Sequence, residues 1–100
     1  MRIISGTNKG MKLYAPDGMS VRPTSDKIKE AIFNILGYID EDSIVLDLFS
    51  GSGGVGIEFL ARGAKQCYFV DGAHKSLSYV RKNLELCKFK EKAVVVVSDY

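Results

Sequence analysis

The sequence predicts an α/β fold in which a parallel sheet is wound with helices. Three short apolar runs, typical of strands, alternate along the chain with two segments of helical periodicity. The connections between these segments are short, and glycines cluster after the first apolar run. Alternating strands and helices with short connections indicate parallel strands joined by crossovers.

Length and composition limit the chain to one small domain at most, or to a piece of a larger one. It has 100 residues, of which 46% are hydrophobic and 26% charged, and this balance argues against disorder and low complexity. No uncharged run approaches the ~20 residues that span a bilayer, and the first residues lack the apolar stretch of a signal peptide. We therefore expect a cytoplasmic protein without membrane contact. Cys67 and Cys87 match no zinc-binding spacing, so we expect buried thiols and no metal site.

Positive charge is concentrated towards the two ends of the chain. Residues 1–30 carry six Lys or Arg against three acids, and residues 61–100 carry eight against four, whereas residues 40–60 carry five acids and no base. Basic flanks around an acidic, glycine-rich centre suit a polyanionic partner beside a pocket with a different task. Scattered surface lysines would produce the same pattern.

Residues 1–23 are predicted to form a β-hairpin extension. Residues 2–5 and 11–15 have strand character, and residues 6–10 (Gly-Thr-Asn-Lys-Gly) have the composition of a turn. A helix follows, and Thr24, Ser25 or Asp26 is expected to cap its start. Gly37 is expected to end it.

The apolar residues of this helix recur at the spacing i, i+3, i+4, i+7, i+8 and are expected to form its buried stripe. They are Ile28, Ala31, Ile32, Ile35 and Leu36. Lys27, Lys29, Glu30 and Asn34 lie outside this stripe and are expected to face away from the core.

Residues 24–100 are predicted to be the wound α/β part. Strands are predicted at 44–49, 66–70 and 93–97, and helices at 55–62 and 75–88. The first strand is almost continuously apolar, which is typical of a strand covered on both faces. Asp71 closes the second strand, and Asp99 ends the third.

A ligand site is predicted where the first strand meets the glycines. Gly51, Gly53 and Gly56 form the pattern G-x-G-x-x-G between a strand and a helix, which lets the backbone turn sharply and approach a ligand. The helix that follows presents unpaired N–H groups at its start. Asp71 is placed to accept hydrogen bonds from both hydroxyls of a ribose.

Two cofactors fit this pattern: a dinucleotide and S-adenosylmethionine. A carboxylate at Asp47 would repel a nearby pyrophosphate, whereas it suits the ammonium group of a methionine moiety. A role as cap of the turn is the alternative for Asp47, and a tight turn without a ligand is the alternative for the glycines. We expect Gly53→Val to abolish cofactor binding more completely than it destabilises the fold.

Three blocks of sequence carry a resemblance to a known family. They read Met-Arg-Ile-Ile-Ser-Gly at residues 1–6, Arg-Pro-Thr-Ser-Asp-Lys-Ile-Lys-Glu-Ala-Ile-Phe-Asn-Ile-Leu at 22–36, and Val-Leu-Asp-Leu-Phe-Ser-Gly-Ser-Gly-Gly at 45–54. Over residues 1 to about 100 the chain resembles the bacterial 16S ribosomal RNA (guanine-N2)-methyltransferases of the RsmD family. The resemblance implies a Rossmann-like class I methyltransferase fold with S-adenosylmethionine as cofactor. It also implies methyl transfer to a guanine N2 amino group, in free 16S ribosomal RNA or in the small ribosomal subunit.

The resemblance assigns cofactor contacts residue by residue. Asp47, Gly51 and Gly53 match the loop that holds the methionine moiety. Asp71 matches the acid that holds the ribose, although the family often has Glu-x-Asp where this chain reads Val-Asp-Gly at residues 70–72. Asp99 matches the acid that meets the adenine amino group, and a role as a strand-end or helix cap is its alternative.

Other residues are expected at the edge of the cofactor site or on RNA. Thr24, in the Arg-Pro-Thr block near the cofactor, is either a cofactor neighbour or a helix cap. Arg2, Lys9 and Lys12 of the hairpin are expected to contact the RNA backbone rather than its bases. Arg22 either contacts an RNA phosphate or pairs with an acid.

The catalytic motif of the family is absent from residues 1–100. That motif, Asn/Asp-Pro-Pro-Tyr/Phe, follows a fourth strand, whereas Pro16 and Pro23 are the only prolines of this chain. We therefore expect the chain to be the N-terminal, cofactor-binding half of a methyltransferase, without a catalytic residue and inactive alone. A nicotinamide- or flavin-binding module and a non-enzymatic RNA-binding domain are the alternatives.

Overall fold

The computed structural model describes residues 1–15, 23–48 and 50–98, and for residues 23–25 it describes the backbone alone. Arg22 and Asp99 lie outside the described residues, as does the side chain of Thr24. The elements are, in chain order, α1 (Pro23–Leu36), β1 (Ile44–Leu48), α2 (Gly54–Ala61), β2 (Gln66–Asp71), α3 (His74–Cys87) and β3 (Ala93–Val97). A 3₁₀ turn at Lys90–Lys92 leads into β3. No helix among the described residues is long and apolar enough to cross a membrane.

The three strands form a parallel sheet in the order β1-β2-β3. Val45 of β1 lies beside Cys67 of β2, which lies beside Ala93 of β3. The core is formed where α2 and α3 cover this sheet, by residues that include Ile57, Leu60, Phe69, Leu77, Val80 and Leu84. The predicted parallel α/β architecture is therefore confirmed, and the two cysteines are buried free thiols as expected.

The N-terminal segment folds back on itself as predicted, but without two regular strands. Its antiparallel pairing is a single bridge between Arg2 and Lys12, made by backbone hydrogen bonds of 2.9 Å from Ile3 N to Met11 O and from Leu13 N to Met1 O. Ile3 and Leu13 are buried in the core. Partners directly opposite in an antiparallel pair share a face, so Arg2 and Lys12 lie on the outer face of this hairpin.

The predicted buried face of α1 is wrong. Ile28 and Ile35 are 58% and 86% exposed, and Ile32 and Leu36 are exposed as well. Asp26, Lys29 and Phe33 form the buried face instead. The physical reason is that Lys29 finds a buried carboxylate on α2 and Phe33 packs edge-to-face on Phe59 with ring centroids 4.6 Å apart.

Of the two predictions about the ends of α1, the one for its start is wrong and the one for its end is confirmed. The helix begins at Pro23, so residues 24–26 lie inside its first turn and the expectation that one of them caps it is wrong. Pro is favoured at this first position because its missing N–H has no partner there. Gly37 ends the helix as predicted, with φ of +71° and its N–H bonded to Phe33 O at 2.9 Å.

β1 is not covered on both faces within the described residues, contrary to the expectation from its apolar run. Ile44, Leu46 and Leu48 alternate along one face and are 62%, 61% and 50% exposed. Val45, on the other face, packs against the core under α2. The strand also lies at the edge of the described sheet.

Candidate cofactor site

The carboxyl ends of β1 and β2 bring together the two acids singled out by the sequence. Asp47 is the penultimate residue of β1, and Asp71 is the last residue of β2. Residues 50–53 connect β1 to the start of α2 beside them. This edge is where ligands bind in open parallel sheets, and the topology places both acids there.

The Asp71 carboxylate accepts hydrogen bonds from two backbone N–H groups, one in the glycine loop and one just after β2. Its Oδ2 accepts a hydrogen bond of 3.0 Å from Gly51 N, and its Oδ1 accepts one of 2.9 Å from Ala73 N. Hydrogen bonds from Ala73 and Gly51 lower the pKa of this carboxyl, because they stabilise its charged form. Each carboxylate oxygen retains acceptor capacity beyond one bond, so the group remains able to bind a diol.

Asp47 is tied to the first turn of α2. Its Oδ2 accepts a hydrogen bond of 3.1 Å from Gly56 N. Burial raises the pKa of Asp47, the Gly56 hydrogen bond opposes that rise, and the negative charge of Asp71 adds to it. A role in stabilising the turn, the structural alternative for Asp47, is therefore present in the geometry.

Of the three glycines in the predicted pattern, one faces open space and two pack against other residues. Gly51 has φ of +56°, and an added Cβ would meet no atom of the described residues within 4 Å. At Gly53, with φ of +85°, a Cβ would contact Val80 at 3.2 Å. A Cβ at Gly56 would come within 2.4 Å of the Phe69 ring. A side chain at Gly53 would point towards the core, so the geometry favours a loss of stability over the obstruction of a ligand that the sequence predicts.

Ser50 supplies a polar atom that the sequence did not single out. Its Oγ is buried and has no hydrogen-bond partner among the described residues. Buried polar groups are nearly always paired. The atom lies in the loop between β1 and α2, three residues after Asp47.

Asn83 is a second residue that the sequence reasoning missed. Its buried side-chain amide donates to Ser52 O at 3.0 Å and to Tyr14 O at 2.9 Å, and it accepts from Tyr14 N at 2.6 Å. The glycine loop and the end of the hairpin are thereby fixed to α3. Its helical spacing with Val80 and Cys87, which are also buried, was the available signal.

Glu58 is the third missed residue, and it joins the hairpin to α1 and α2. It is fully buried and lies 3.1 Å from Lys29 Nζ and 2.7 Å from Arg62 Nε. It also accepts hydrogen bonds from Ile4 N at 2.9 Å and Ser5 N at 3.1 Å. Burial raises the pKa of Glu58, but these hydrogen bonds and cations outweigh it and hold the pKa below its ordinary value. A lone acid in the apolar run of α2 was the sequence signal.

The predicted RNA-contacting residues of the hairpin are exposed. Arg2 Nε lies 3.4 Å from Asp26 Oδ2, so part of its charge is already paired. Lys9 and Lys12 have no ion-pair partner within the described part of the chain. Among all the described residues, there is no group of three or more His, Cys, Asp or Glu that could hold a metal ion.

Comparison with known proteins identifies the family. The family described as conserved hypothetical protein 95 matches residues 1–100. The chain belongs to this family. The resemblance to the RsmD methyltransferases is confirmed, since several relatives of clear similarity are named ribosomal RNA small subunit methyltransferase D. Ribosomal RNA small subunit methyltransferase D of Escherichia coli K12 is 37% identical over 95 residues, 95% of this chain and 48% of the relative. A Bacillus subtilis candidate rRNA methyltransferase, YlbH, is 48% identical over 99 residues, 99% of this chain and 54% of the relative.

Solved structures that are similar to this chain have the same fold. A candidate methyltransferase of Escherichia coli, yhhF, superposes with a TM-score of 0.83 at 33% identity, covering 99% of this chain and 52% of that one. A candidate RNA methyltransferase of Pyrococcus horikoshii gives a TM-score of 0.63 at 25% identity over 79% of this chain. The Rossmann-like class I methyltransferase fold is therefore confirmed. The chain spans about half the length of the curated relatives it matches.

Proposed function

We propose that the protein containing this chain is an S-adenosylmethionine-dependent methyltransferase. It methylates the exocyclic N2 amino group of a guanine in 16S ribosomal RNA, and residues 1–100 form its cofactor-binding part. The observation that carries the proposal is Asp71, which holds the glycine loop by its hydrogen bond to Gly51 at the carboxyl edge of a methyltransferase sheet. Relatives named as small-subunit ribosomal RNA methyltransferases support the substrate class.

The residues at this edge fit the proposed cofactor. Asp71 accepts hydrogen bonds from the ribose hydroxyls, since its backbone contacts leave acceptor capacity on both oxygens. Gly51 gives the ligand an approach without a side chain. The unpaired Oγ of Ser50 provides a further polar contact at the same loop, and Asp47 places negative charge near the ammonium group of the methionine moiety. Thr24 and Asp99 remain proposed neighbours of the cofactor.

The cofactor supplies an activated methyl group on a sulfonium. The chain's own contribution is to hold and orient it, because the amino group of guanine is a weak nucleophile and alignment supplies much of the rate. Asn83 and Asp71 fix the glycine loop from two sides, which keeps that orientation constant. We assign no catalytic residue within 1–100; the groups that grip the acceptor lie elsewhere in the protein.

The proposed partner is 16S ribosomal RNA, free or in the small ribosomal subunit, and the proposed compartment is the cytoplasm. Arg2, Lys9, Lys12 and Arg22 are proposed to contact its backbone. The basic hairpin is fixed to α2 by Glu58, so an RNA bound there is held at a constant distance from the cofactor loop.

A methyl-transfer assay on the complete protein tests the proposal. The protein is incubated with tritiated S-adenosylmethionine and either 16S ribosomal RNA or small subunits, and the RNA is digested and analysed by mass spectrometry. N2-methylguanosine in the digest is the expected result. Calorimetry with S-adenosylhomocysteine and with NAD accompanies the assay. Binding of NAD alone indicates a nicotinamide module, and RNA binding without affinity for either nucleotide indicates a non-enzymatic RNA-binding domain.

A further inference from the structure

A cleft lies between the hairpin, α1 and the end of α2. Its volume is about 410 Å³. Its polar and charged walls include Arg2 and Lys9 from the hairpin, Glu30 and Asn34 from α1, and Arg62 after α2. None of the described lining residues is aromatic, so these residues offer a base no aromatic ring to stack on.

The charge of the cleft is positive. Three cations line it against the carboxylate of Glu30, and two of them, Arg2 and Arg62, are also paired with Asp26 and Glu58. Arg62 is held in place, because its Nε donates to Glu58 and its guanidinium carbon lies 4.4 Å from the centre of the Phe33 ring. Lys9 has no ion-pair partner among the described residues, so its charge is available to a ligand.

The wall that carries Lys9 is fixed before any ligand binds. Thr7 N donates to Ala61 O at 2.9 Å, and Asn8 Nδ2 donates to Cys87 O at 2.9 Å. Gly6 approaches α2 so closely that a Cβ there would lie 2.0 Å from Ala61 O. A preformed site loses less conformational entropy on binding than a mobile one.

We propose that this cleft binds a backbone phosphate of the RNA substrate. Lys9 and Arg62 supply the positive charge, and the side-chain amide of Asn34 donates a hydrogen bond to a phosphate oxygen. Glu30 stands one helical turn before Asn34, and its negative charge opposes binding of an anion in the cleft. The inference rests on the proposed function for its choice of RNA, but its geometry is separate from the cofactor site.

Charge-changing variants of nearly constant shape test the cleft. Fluorescence anisotropy measures the affinity of the complete protein for a 16S ribosomal RNA fragment and for an unrelated RNA of equal length. Asn34→Asp is expected to weaken binding of both RNAs, and Glu30→Gln to strengthen it. Both residues are exposed on α1, so the fold tolerates these changes. Glu91→Gln, in the turn before β3, is the control for loss of an acid and is expected to have no effect.

Lys9→Gln tests the phosphate contact by its salt dependence. Log affinity falls with log salt, and loss of one phosphate contact makes this negative slope shallower by roughly 0.7–0.9. The ratio of affinities measured at 50 and 200 mM salt then falls by about threefold. Lys65→Gln, which removes an exposed lysine ahead of β2, is the control and leaves the slope unchanged.

The results separate this inference from the proposed function. Weaker binding by Glu30→Gln, or an unchanged salt slope in Lys9→Gln, overturns the phosphate site even if the wild-type protein methylates 16S ribosomal RNA. A loss confined to the ribosomal fragment overturns it as well, because a backbone contact carries no sequence information. If wild-type protein transfers no methyl group, the proposed function fails, and the RNA affinities still decide the cleft.

Discussion

The Asp71 carboxylate accepts a hydrogen bond of 3.0 Å from the backbone N–H of Gly51, twenty residues earlier in the chain. The end of β2 is thereby joined directly to the turn that follows β1. One carboxylate thus has two tasks, since it shapes the loop and is also the group proposed to bind the ribose. Substitutions at Asp71 must separate these tasks.

Asp71→Ala is expected to weaken binding of S-adenosylhomocysteine by about 1.5–3 kcal/mol, the range of charge-assisted hydrogen bonds. That loss corresponds to roughly a 10- to 150-fold change in affinity. Calorimetry on the complete protein measures it. Asp71→Asn is the matched variant: its amide oxygen can still accept from Gly51 N, so it keeps that contact with the loop, whereas the charge and the bond from Ala73 N are lost. Unchanged affinity in a folded Asp71→Ala protein would remove Asp71 from the cofactor site.

Gly51→Val and Gly53→Val are expected to differ in which property they damage. A side chain at Gly51 meets open space, although its φ of +56° is unfavourable for valine. We expect it to reduce cofactor affinity more than the free energy of unfolding. A side chain at Gly53 contacts Val80, Ile57 and Phe69 at 3.2–3.4 Å and has φ of +85°, so the free energy of unfolding should fall first. Urea denaturation and calorimetry on both variants check the contrast, and equal losses of stability would contradict it.

Glu58→Gln is expected to lower the free energy of unfolding by about 3–5 kcal/mol at neutral pH, because it leaves the buried ammonium of Lys29 without its carboxylate. Lys29→Met should cost less, since Glu58 keeps Arg62 and the amides of Ile4 and Ser5. Urea denaturation measures both losses. A larger loss in Lys29→Met than in Glu58→Gln would show that the carboxylate does not organise this cluster.

The same carboxylate predicts a pH dependence. The folded pKa of Glu58 lies below its ordinary value of 4.5. Its contribution to stability is therefore complete above that value and is lost as the pH falls through the lowered folded pKa. The urea midpoint of the wild-type protein should fall more between pH 6 and pH 3 than that of Glu58→Gln. Parallel pH profiles for the two proteins would contradict this assignment.

The arrangement of strands and helices could be predicted from sequence, whereas the orientation of α1 could not. Periodicity locates an apolar stripe but does not say which surface covers it. In α1 the buried position is taken by Lys29, whose charge is balanced by Glu58 from an element 29 residues further along the chain. Burial of this lysine is favourable only because of its tertiary contact with Glu58, and that contact cannot be read from the local sequence pattern.

In the candidate site, too, some residues could be predicted from the sequence and others could not. Asp47, Gly51 and Asp71 were predictable because their positions follow from strand ends and a local glycine pattern. Asn83 and Ser50 were not, since the bonds of Asn83 reach Tyr14 across 69 residues and Ser52 across 31, and an unpaired Oγ is visible only once its surroundings are packed. The packing role of Gly53 likewise depends on Val80, which α3 brings to the loop.

The exposed face of β1 predicts the behaviour of residues 1–100 as an isolated polypeptide. Ile44, Leu46 and Leu48 leave one face of an edge strand largely uncovered in the described sheet, and an exposed apolar edge pairs readily with another chain. We therefore expect concentration-dependent association in light scattering, and no methyl transfer to RNA in a tritiated-methyl assay. Leu46→Lys places a charge on the same face at a position that is 61% exposed, so it should reduce association without unfolding the sheet. A wild-type polypeptide that stays monomeric at all concentrations and methylates RNA would contradict both parts, and would place the acceptor-binding groups within these 100 residues.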